Sequence, residues 1–463
     1  MSLRNNIFRR ERGFYRDLFK LAVPMVLQNL INNMLSLLDT FMVGSLGNAE
    51  MAAVMLAGNV FFVLGLLFFG IQSGMAILIS QYWGKRDTAA ISRVLGLGLM
   101  AAGGLSLLGS VVVSVFPRAV MGLITNDAIL IDFGTDFLSV VAPSYVFNAV
   151  ALTLASAFRS MENPRVGLAV VAGAAVCNTF LNYILIFGNI GAPKMGVKGA
   201  GLSTLIVCIG EFAAMLLYLI FNKRFRVKVA CLLKPGVVIT RDFIRYSLPV
   251  IANETLWGFG YSLYSVIVGH MDGAAASAAA FTVATSIDRI LGAPTFGIGM
   301  SVAVVIGKNL GGGASGKDAY SLGKTLVATT ALAGLACALL SVAVSTFAVK
   351  PLLPVFFDMS ETEARLAWIL LLILSLKMPL SAVNMSVIVG VLRGGGDVRV
   401  AALIDLSCLY CVGLVFAYIF GLKLEFGVVL VFFGMAAEEF SKIFGSIARF
   451  RAKRWIKNLT RSL

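Results

Sequence analysis

Pro24 to Gly44 (PMVLQNLINNMLSLLDTFMVG) returns 225 residues later as Pro249 to Gly269 (PVIANETLWGFGYSLYSVIVG), with the opening proline and the closing Val-Gly in register. The correspondence continues downstream. Gly70-Ile71 recurs as Gly297-Ile298, Gly84-Lys85 as Gly307-Lys308 and Phe158-Arg159 as Leu392-Arg393, at offsets between 223 and 234. A chain written twice has to fold as two like halves, and two homologous bundles about a midplane site suit a device in which one half rocks against the other.

The solvent of those halves follows from the length of the apolar runs. A helix needs about 20 mostly apolar residues to cross about 30 Å of hydrocarbon. Twelve such segments are predicted, at 18–43, 52–81, 90–116, 133–157, 166–187, 199–221, 243–268, 275–306, 320–347, 366–391, 400–420 and 427–448, six in each half. With 59% hydrophobic and only 13% charged residues, the chain lies outside the balance of water-soluble domains. The predicted fold is an all-α polytopic membrane protein, its twelve helices in two pseudo-symmetric parallel six-helix bundles around a central cleft. The expected divisions are a cytoplasmic segment 1–17, a bundle 18–222, a linker 223–241, a second bundle 242–448 and a basic tail 449–463. The short polar connections leave no room for a soluble catalytic module. The basic start leads into a full-length helix and not into a short apolar stretch with a small-residue cleavage site, so no signal peptide is expected.

The net charge of +15 invites a nucleic-acid reading, but its distribution points to topology. On one side of the predicted spans lie 29 Lys and Arg, from Arg4, Arg9 and Arg10 through Lys223–Arg245 to the six from Arg449 onward; the other side holds six. The positive-inside rule then puts both termini in the cytoplasm. An even number of spans per half makes the repeats parallel.

Apparent catalytic motifs fail on context. Gly311 to Lys317 (GGGASGK) has the spacing of a phosphate loop, but Asp318 replaces the magnesium-binding hydroxyl and no strand precedes it. Cys408 and Cys411 sit inside an apolar span, where small polarizable residues pack well. With a single histidine, His270, neither a His-rich metal site nor a Ser-His-Asp hydrolase can be assembled. No enzyme, no cofactor and no nucleic-acid partner are expected.

Chemistry is carried instead by polarity placed where lipid makes it costly. An aspartate at the centre of a span costs about 2.5–3.5 kcal/mol on insertion scales. At 100° per residue, Gln28, Asn32, Ser36 and Asp39 fall within about 80° of one another on the first span, as one polar stripe. Asp39 reads either as a helix-packing hydrogen bond or as a cation or proton site. Asn178 and Asn182 are an i, i+4 pair on the fifth span, with amide oxygens suited to sodium or to a carboxylic acid. Across the repeat, Asp39 aligns with Tyr264, and Asn178 and Asn182 with Cys411 and Val415, so the ion-handling role is assigned to the N-terminal half. The C-terminal half has its own charges. Glu254 shares a face with Tyr261 and Ser265, Asp288 adjoins Arg289, Lys377 shares a face with Ser381 and Asn384, and Asp405 follows. Structural ion pairing is the competing reading for these, and hydration near a helix end for Glu438 and Glu439. Acids at membrane depth among aromatic and methionine side chains favour a lipophilic organic cation. The expected substrate cavity takes Gln28, Asn32, Ser36, Glu254, Tyr261 and Asp288.

The segments VPMVLQNLINNMLSLLDTFMVGSLG, GIQSGMAILISQYWGKRD, NTFLNYILIFG with GVKGAGLST, SLPVIANETLWGFGYSLY and VLRGGGDVRVAALIDL resemble those of the multidrug and toxic compound extrusion (MATE) family, in order and over nearly the whole chain. The resemblance implies a twelve-helix exporter of cationic or amphipathic drugs or metabolites, driven by H+ or Na+. It places the cation and proton site at Asp39, with Asn178 and Asn182 beside it and a sixth-helix hydroxyl at Ser203 or Thr204; sodium, where used, would sit at Asp39, Asn178 and Asn182. Some members carry an aspartate where this chain has Asn182, a departure that removes a negative charge and favours proton coupling. Glu254 stands about a turn before the seventh-helix glutamate of several members, where this chain has Trp257. The expectation is thus a monomeric antiporter in the cytoplasmic membrane. The alternatives are a flippase for lipids or lipid-linked oligosaccharides, for which only Arg289 and Lys377 offer buried cations, and an ion channel.

Overall fold

In a computed structural model of the chain, the described residues are 12–222, 225–271, 273–351 and 360–461. Arg4, Arg9, Arg10, Lys223 and Arg224 of the predicted cytoplasmic segments therefore lie outside the described residues. Every predicted span coincides with helix. Helices α1 (Arg12–Gly44), α2 (Asn48–Lys85) and α3 (Thr88–Val115) are followed by a short α4 (Pro117–Gly122), and α5 (Ala128–Val141) with α6 (Ser144–Ser160) form the fourth span. Helices α7 (Pro164–Phe187) and α8 (Val197–Phe221) complete the first six, and α9 (Val229–Leu233) lies in the linker. The second half runs α10 (Val237–Gly269), α11 (Ala274–Leu291), α12 (Ala293–Gly311), α13 (Gly316–Val344) and α14 (Glu361–Asn384), the last continued by π-helical turns over Met385–Arg393. Helices α15 (Val398–Cys408) and α16 (Leu414–Tyr418), joined by the π turn Leu409–Gly413, make the eleventh span, and α17 (Val428–Arg451) the twelfth.

Among the described residues, nine helices are each long and apolar enough to cross a bilayer, and the bent α5–α6 pair makes a tenth. The remaining two predicted spans fall on α10, whose apolar stretch is interrupted by Asn253 and Glu254, and on α17, which carries the charged residues Glu438, Glu439 and Lys442. Lipid imposes this architecture, since backbone groups without water must bond within their own helix. Large apolar side chains accordingly face outward, as on α3, where Leu107, Leu108, Val111 and Val115 are each at least half exposed. Helix starts are fixed locally. Asp87 accepts from Ala90 N at 3.0 Å, Asp127 from Ile129 N at 2.8 Å, and Ser360 with Glu363 closes a capping box on α14.

Two expectations need correction. Segments 133–157 and 275–306 are not single straight helices. The first bends by 54° between α5 and α6, where Pro143 can give no backbone N–H to the preceding turn. The second breaks at Gly292, with Pro294 in the first turn of α12. The Gly311–Lys317 motif is the end of α12, a turn and the start of α13, whose cap is Ser315 accepting from Asp318 N at 3.2 Å.

The chain divides into two compact units, and the divisions fall inside helices, not in the linker: after Val26 in α1 and after Ile251 in α10. Both lie two residues beyond the aligned prolines Pro24 and Pro249. The unit holding Leu27–Ile251 packs around Met121, Leu138 and Tyr145, and around Val43, Ile186 and Ala200. Within it the opening part of α10 lies so close to α2 that a Cβ on Gly70 would stand 2.6 Å from Ile251 Cα. The unit holding the stretch up to Val26 and Ala252–Arg461 has one core about Tyr264, Leu370 and Phe432 and another joining Leu18 to Val302, Leu392 and Trp455. There the repeat-mate of Gly70 does the same work, since a Cβ on Gly297 would stand 2.7 Å from Val26 Cγ2 and 2.8 Å from its backbone nitrogen. Backbone cannot yield as a side chain does, so Gly297→Ala should cost about 1–3 kcal/mol as an overpacked contact. Thermal unfolding in detergent reads this, with Gly103→Ala, which meets nothing within 4 Å, as the neutral control.

The tail is docked in that same unit. Trp455 is fully buried and donates Nε1–H to Phe450 O at 3.1 Å, and Leu459 covers Gly396. Asp397, between the tenth and eleventh spans, accepts from Arg449 Nε at 2.5 Å and Lys457 Nζ at 2.8 Å. Burial alone would raise the Asp397 carboxyl, but the hydrogen bonds and charges of Arg449 and Lys457 outweigh it and hold the carboxyl below its ordinary value. A carboxyl lowered in the folded state stabilises fully above its ordinary value of about 3.9 and loses that contribution as pH falls through the lowered one. Hydrogen exchange over 455–459, corrected for its intrinsic rate, should therefore stay slow from neutral pH down to about 4 and quicken below it; Asp397→Asn should quicken it at neutral pH.

Candidate functional site

The polar stripe of α1 meets α7 at one carboxylate. Asn178 and Asn182, four residues apart on α7 and only 3% and 2% exposed, both donate from Nδ2 to Asp39 Oδ1, at 2.6 and 2.7 Å. Their placement is built locally, by Pro164 in the first turn of α7 and Gly188 in the left-handed conformation at its end. The second carboxylate oxygen, Oδ2, has no hydrogen bond among the described residues, and no basic side chain there pairs with Asp39. Asn182 Oδ1 is buried without a partner. A charge in a span costs about 2.5–3.5 kcal/mol, while each hydrogen bond to a charged group returns about 1.5–3 kcal/mol. The two bonds together, about 3–6 kcal/mol, offset that cost.

The other predicted members of this site are placed less closely. Ser203 is buried and donates to Gly199 O at 2.9 Å, and Thr204 donates to Ala200 O at 3.1 Å, so both O–H donors are used within their own helix. Gln28 packs near Gly167, whose Cβ would lie 3.3 Å from its amide, while Asn32 and Ser36 are exposed along the same stripe of α1.

The C-terminal charges gather into a network of their own. Arg393, 3% exposed, donates Nη1–H to Glu254 Oε1, and its Nη2 lies 3.8 Å from Asp405. Lys442 Nζ bridges Asp405 at 2.8 Å and Glu438 at 2.5 Å, with Glu439 at 3.9 Å. Tyr264, aligned with Asp39, donates to Glu438 Oε2 at 3.0 Å, and Asn384 donates to Glu439 Oε2 at 2.8 Å. Asn253 donates to Asp405 at 3.1 Å. Structural pairing thus prevails for Glu254 and Asp405. The expected hydration of Glu438 is corrected, since at 6% exposure it is tied to Lys442 and Tyr264. Asp288 lies within electrostatic reach of Lys377 and Tyr261, whose ring stacks on Trp257 at 5.3 Å.

Sequence reasoning missed the two bases at the centre of this network. The 29 cations placed on the cytoplasmic side include Arg393, although its alignment with Arg159 shows only that both end a helix. Lys442 was legible, because Glu438 and Glu439 precede it by four and three residues, the spacing of a helical ion pair.

The described residues thus form an all-helical, multi-pass membrane bundle with a polar cluster in each half. The MatE family profile matches residues 24–184 and 249–419, one match per repeat. The chain belongs to that family. It is 27% identical over 450 residues, covering 94% of this chain and 92% of the relative, to the probable multidrug resistance protein NorM of Bradyrhizobium diazoefficiens. It is 25% identical over 448 residues, 95% of each chain, to the uncharacterized transporter YisQ of Bacillus subtilis. In fold it superposes with a TM-score of 0.84 on a MOP superfamily transporter from Pyrococcus furiosus, covering 97% of this chain and 98% of that one at 18% identity.

Proposed function

We propose that the chain is a cation-coupled antiporter that exports cationic or amphipathic drugs or metabolites across the cytoplasmic membrane by alternating access, with both termini inside. The observation that carries the reading is a membrane-depth carboxylate held by two amides and, among the described residues, by no base, with one oxygen making no hydrogen bond there. Taking up a proton at Asp39 removes its negative charge, releases the grip of Asn178 and Asn182, and weakens the attraction for a cationic cargo. Losing the proton restores both. Inward proton movement then drives outward cargo movement, and the duplicated bundles provide the two lobes that rock. Gln28, Asn32 and Ser36 of one unit, and Glu254, Tyr261 and Asp288 of the other, are assigned to contacts with cargo.

Sodium is the second reading, favoured by the unpartnered Asn182 Oδ1. Rotating an amide exchanges its donor and acceptor, so Asn178 and Asn182 turned about would offer two oxygens beside the carboxylate. Proteoliposomes with proton and sodium gradients imposed separately distinguish the two. Under a proton gradient alone, ethidium export should follow the gradient; under a sodium gradient alone it should not. Export unaffected by either gradient would end the antiport reading.

A further inference from the structure

A further acid lies at membrane depth and is used by nothing described so far. Glu211 stands on α8, fourteen residues from Val197 and ten from Phe221, or about 21 Å and 15 Å from the helix ends. Among the described residues it makes no hydrogen bond and no ion pair. It borders a cavity of about 600 Å³ between α7 and α8, whose other walls include Ala169, Gly173, Cys177, Phe180, Gly210 and Ala214. A Cβ added at Gly173 or at Gly210 would meet nothing within 4 Å. Open space and small walls thus surround a carboxylate that has no protein partner.

We propose that this groove is a binding site for a lipophilic organic cation, separate from Asp39, with Glu211 as the counter-ion and the Phe180 ring and apolar walls receiving the hydrophobic body. The chemistry follows from the lining. A carboxylate that no lysine or arginine pairs attracts positive charge, and a wall with one charged group among apolar and small residues accepts a large apolar body and rejects a hydrated ion. The Phe180 ring, in the wall of the same groove, offers cation–π attraction. The size suits an organic cation of several rings.

The test uses the full chain in lipid nanodiscs and 4-azidobenzyl-triphenylphosphonium as a photoreactive probe, with the labelled peptides mapped. Labelling should concentrate in 169–181 and 206–214. Excess tetraphenylphosphonium should displace it, and tetraphenylborate, of the same shape and opposite charge, should not. Glu211→Gln, which keeps size and removes charge, should lower labelling of these peptides at least tenfold. Gly210→Leu, which keeps the charge and fills the groove, should do the same. Unchanged labelling in Glu211→Gln, or equal displacement by the anion, overturns the proposal; because the readout is binding and not transport, failure of the Asp39 mechanism leaves it standing.

Discussion

Asp39→Asn should abolish gradient-driven accumulation of cargo while leaving the protein folded. The asparagine is isosteric, and its amide can still exchange a hydrogen bond with Asn178 or Asn182, which lie 2.6 and 2.7 Å from the carboxylate oxygen it replaces. It cannot take up a proton or hold a full negative charge. One pH unit is worth about 1.4 kcal/mol per proton, so one proton exchanged for one monovalent cation supports about a tenfold cargo ratio. The variant should show a ratio near one under the same gradient, with cargo-for-cargo exchange across the membrane retained. A ratio equal to that of the unmodified protein would move the coupling site elsewhere, the C-terminal acid network being the first place to look. Loss of both accumulation and exchange would point to a general defect, which thermal unfolding in detergent separates from a coupling defect.

Lys442→Met should be among the most destabilising single changes in the chain. Lys442, 3% exposed, lies between Asp405 at 2.8 Å and Glu438 at 2.5 Å. Removing one member of a buried ion pair strands the other charge, at a cost of about 3–5 kcal/mol. Here Glu438 loses its only ion-pair partner among the described residues, Asp405 keeps only Arg393 at 3.8 Å, and Glu439 loses a neighbour at 3.9 Å. Unfolding titrations in mixed detergent should show the loss, and Lys442→Arg should recover most of it. The sharper check is the triple change Lys442→Met with Asp405→Asn and Glu438→Gln, which removes the two carboxylates nearest the lost ammonium and should be more stable than Lys442→Met alone. Stability of the single variant equal to that of the unmodified protein would show the network to be solvated.

Much of this architecture was legible because lipid punishes ambiguity. Segments of about 20 apolar residues between charged ends have one stable solution, and each of the twelve predicted spans finds a helix. The bends were harder to read, because Pro143 and Gly292–Pro294 sit in apolar runs whose hydropathy does not change across the break. Asp39 was legible from its own helix, as an acid on a polar stripe, and its partners from the four-residue spacing of Asn178 and Asn182. The pairing of Arg393 with Glu254 was not, since 139 residues separate them and no local pattern links the two. Ser203 and Thr204 were legible as hydroxyls inside a span, and each donates to the carbonyl four residues back while its oxygen keeps its acceptor lone pairs. The swap of the α1 and α10 openings between units also escaped, because hydropathy runs unbroken through Val26–Leu27 and Ile251–Ala252.

The mechanism stands on competition between a proton and a cation for one carboxyl, and the protons released on binding measure that competition directly. Calorimetric titration of the purified protein with tetraphenylphosphonium, in buffers of different ionisation enthalpy, gives protons released per cation bound. The unmodified protein should release up to one, following the protonation of Asp39 as pH is varied, and Asp39→Asn should release none at any pH. Equal proton release by the two proteins, or none by either across the range, would contradict the account.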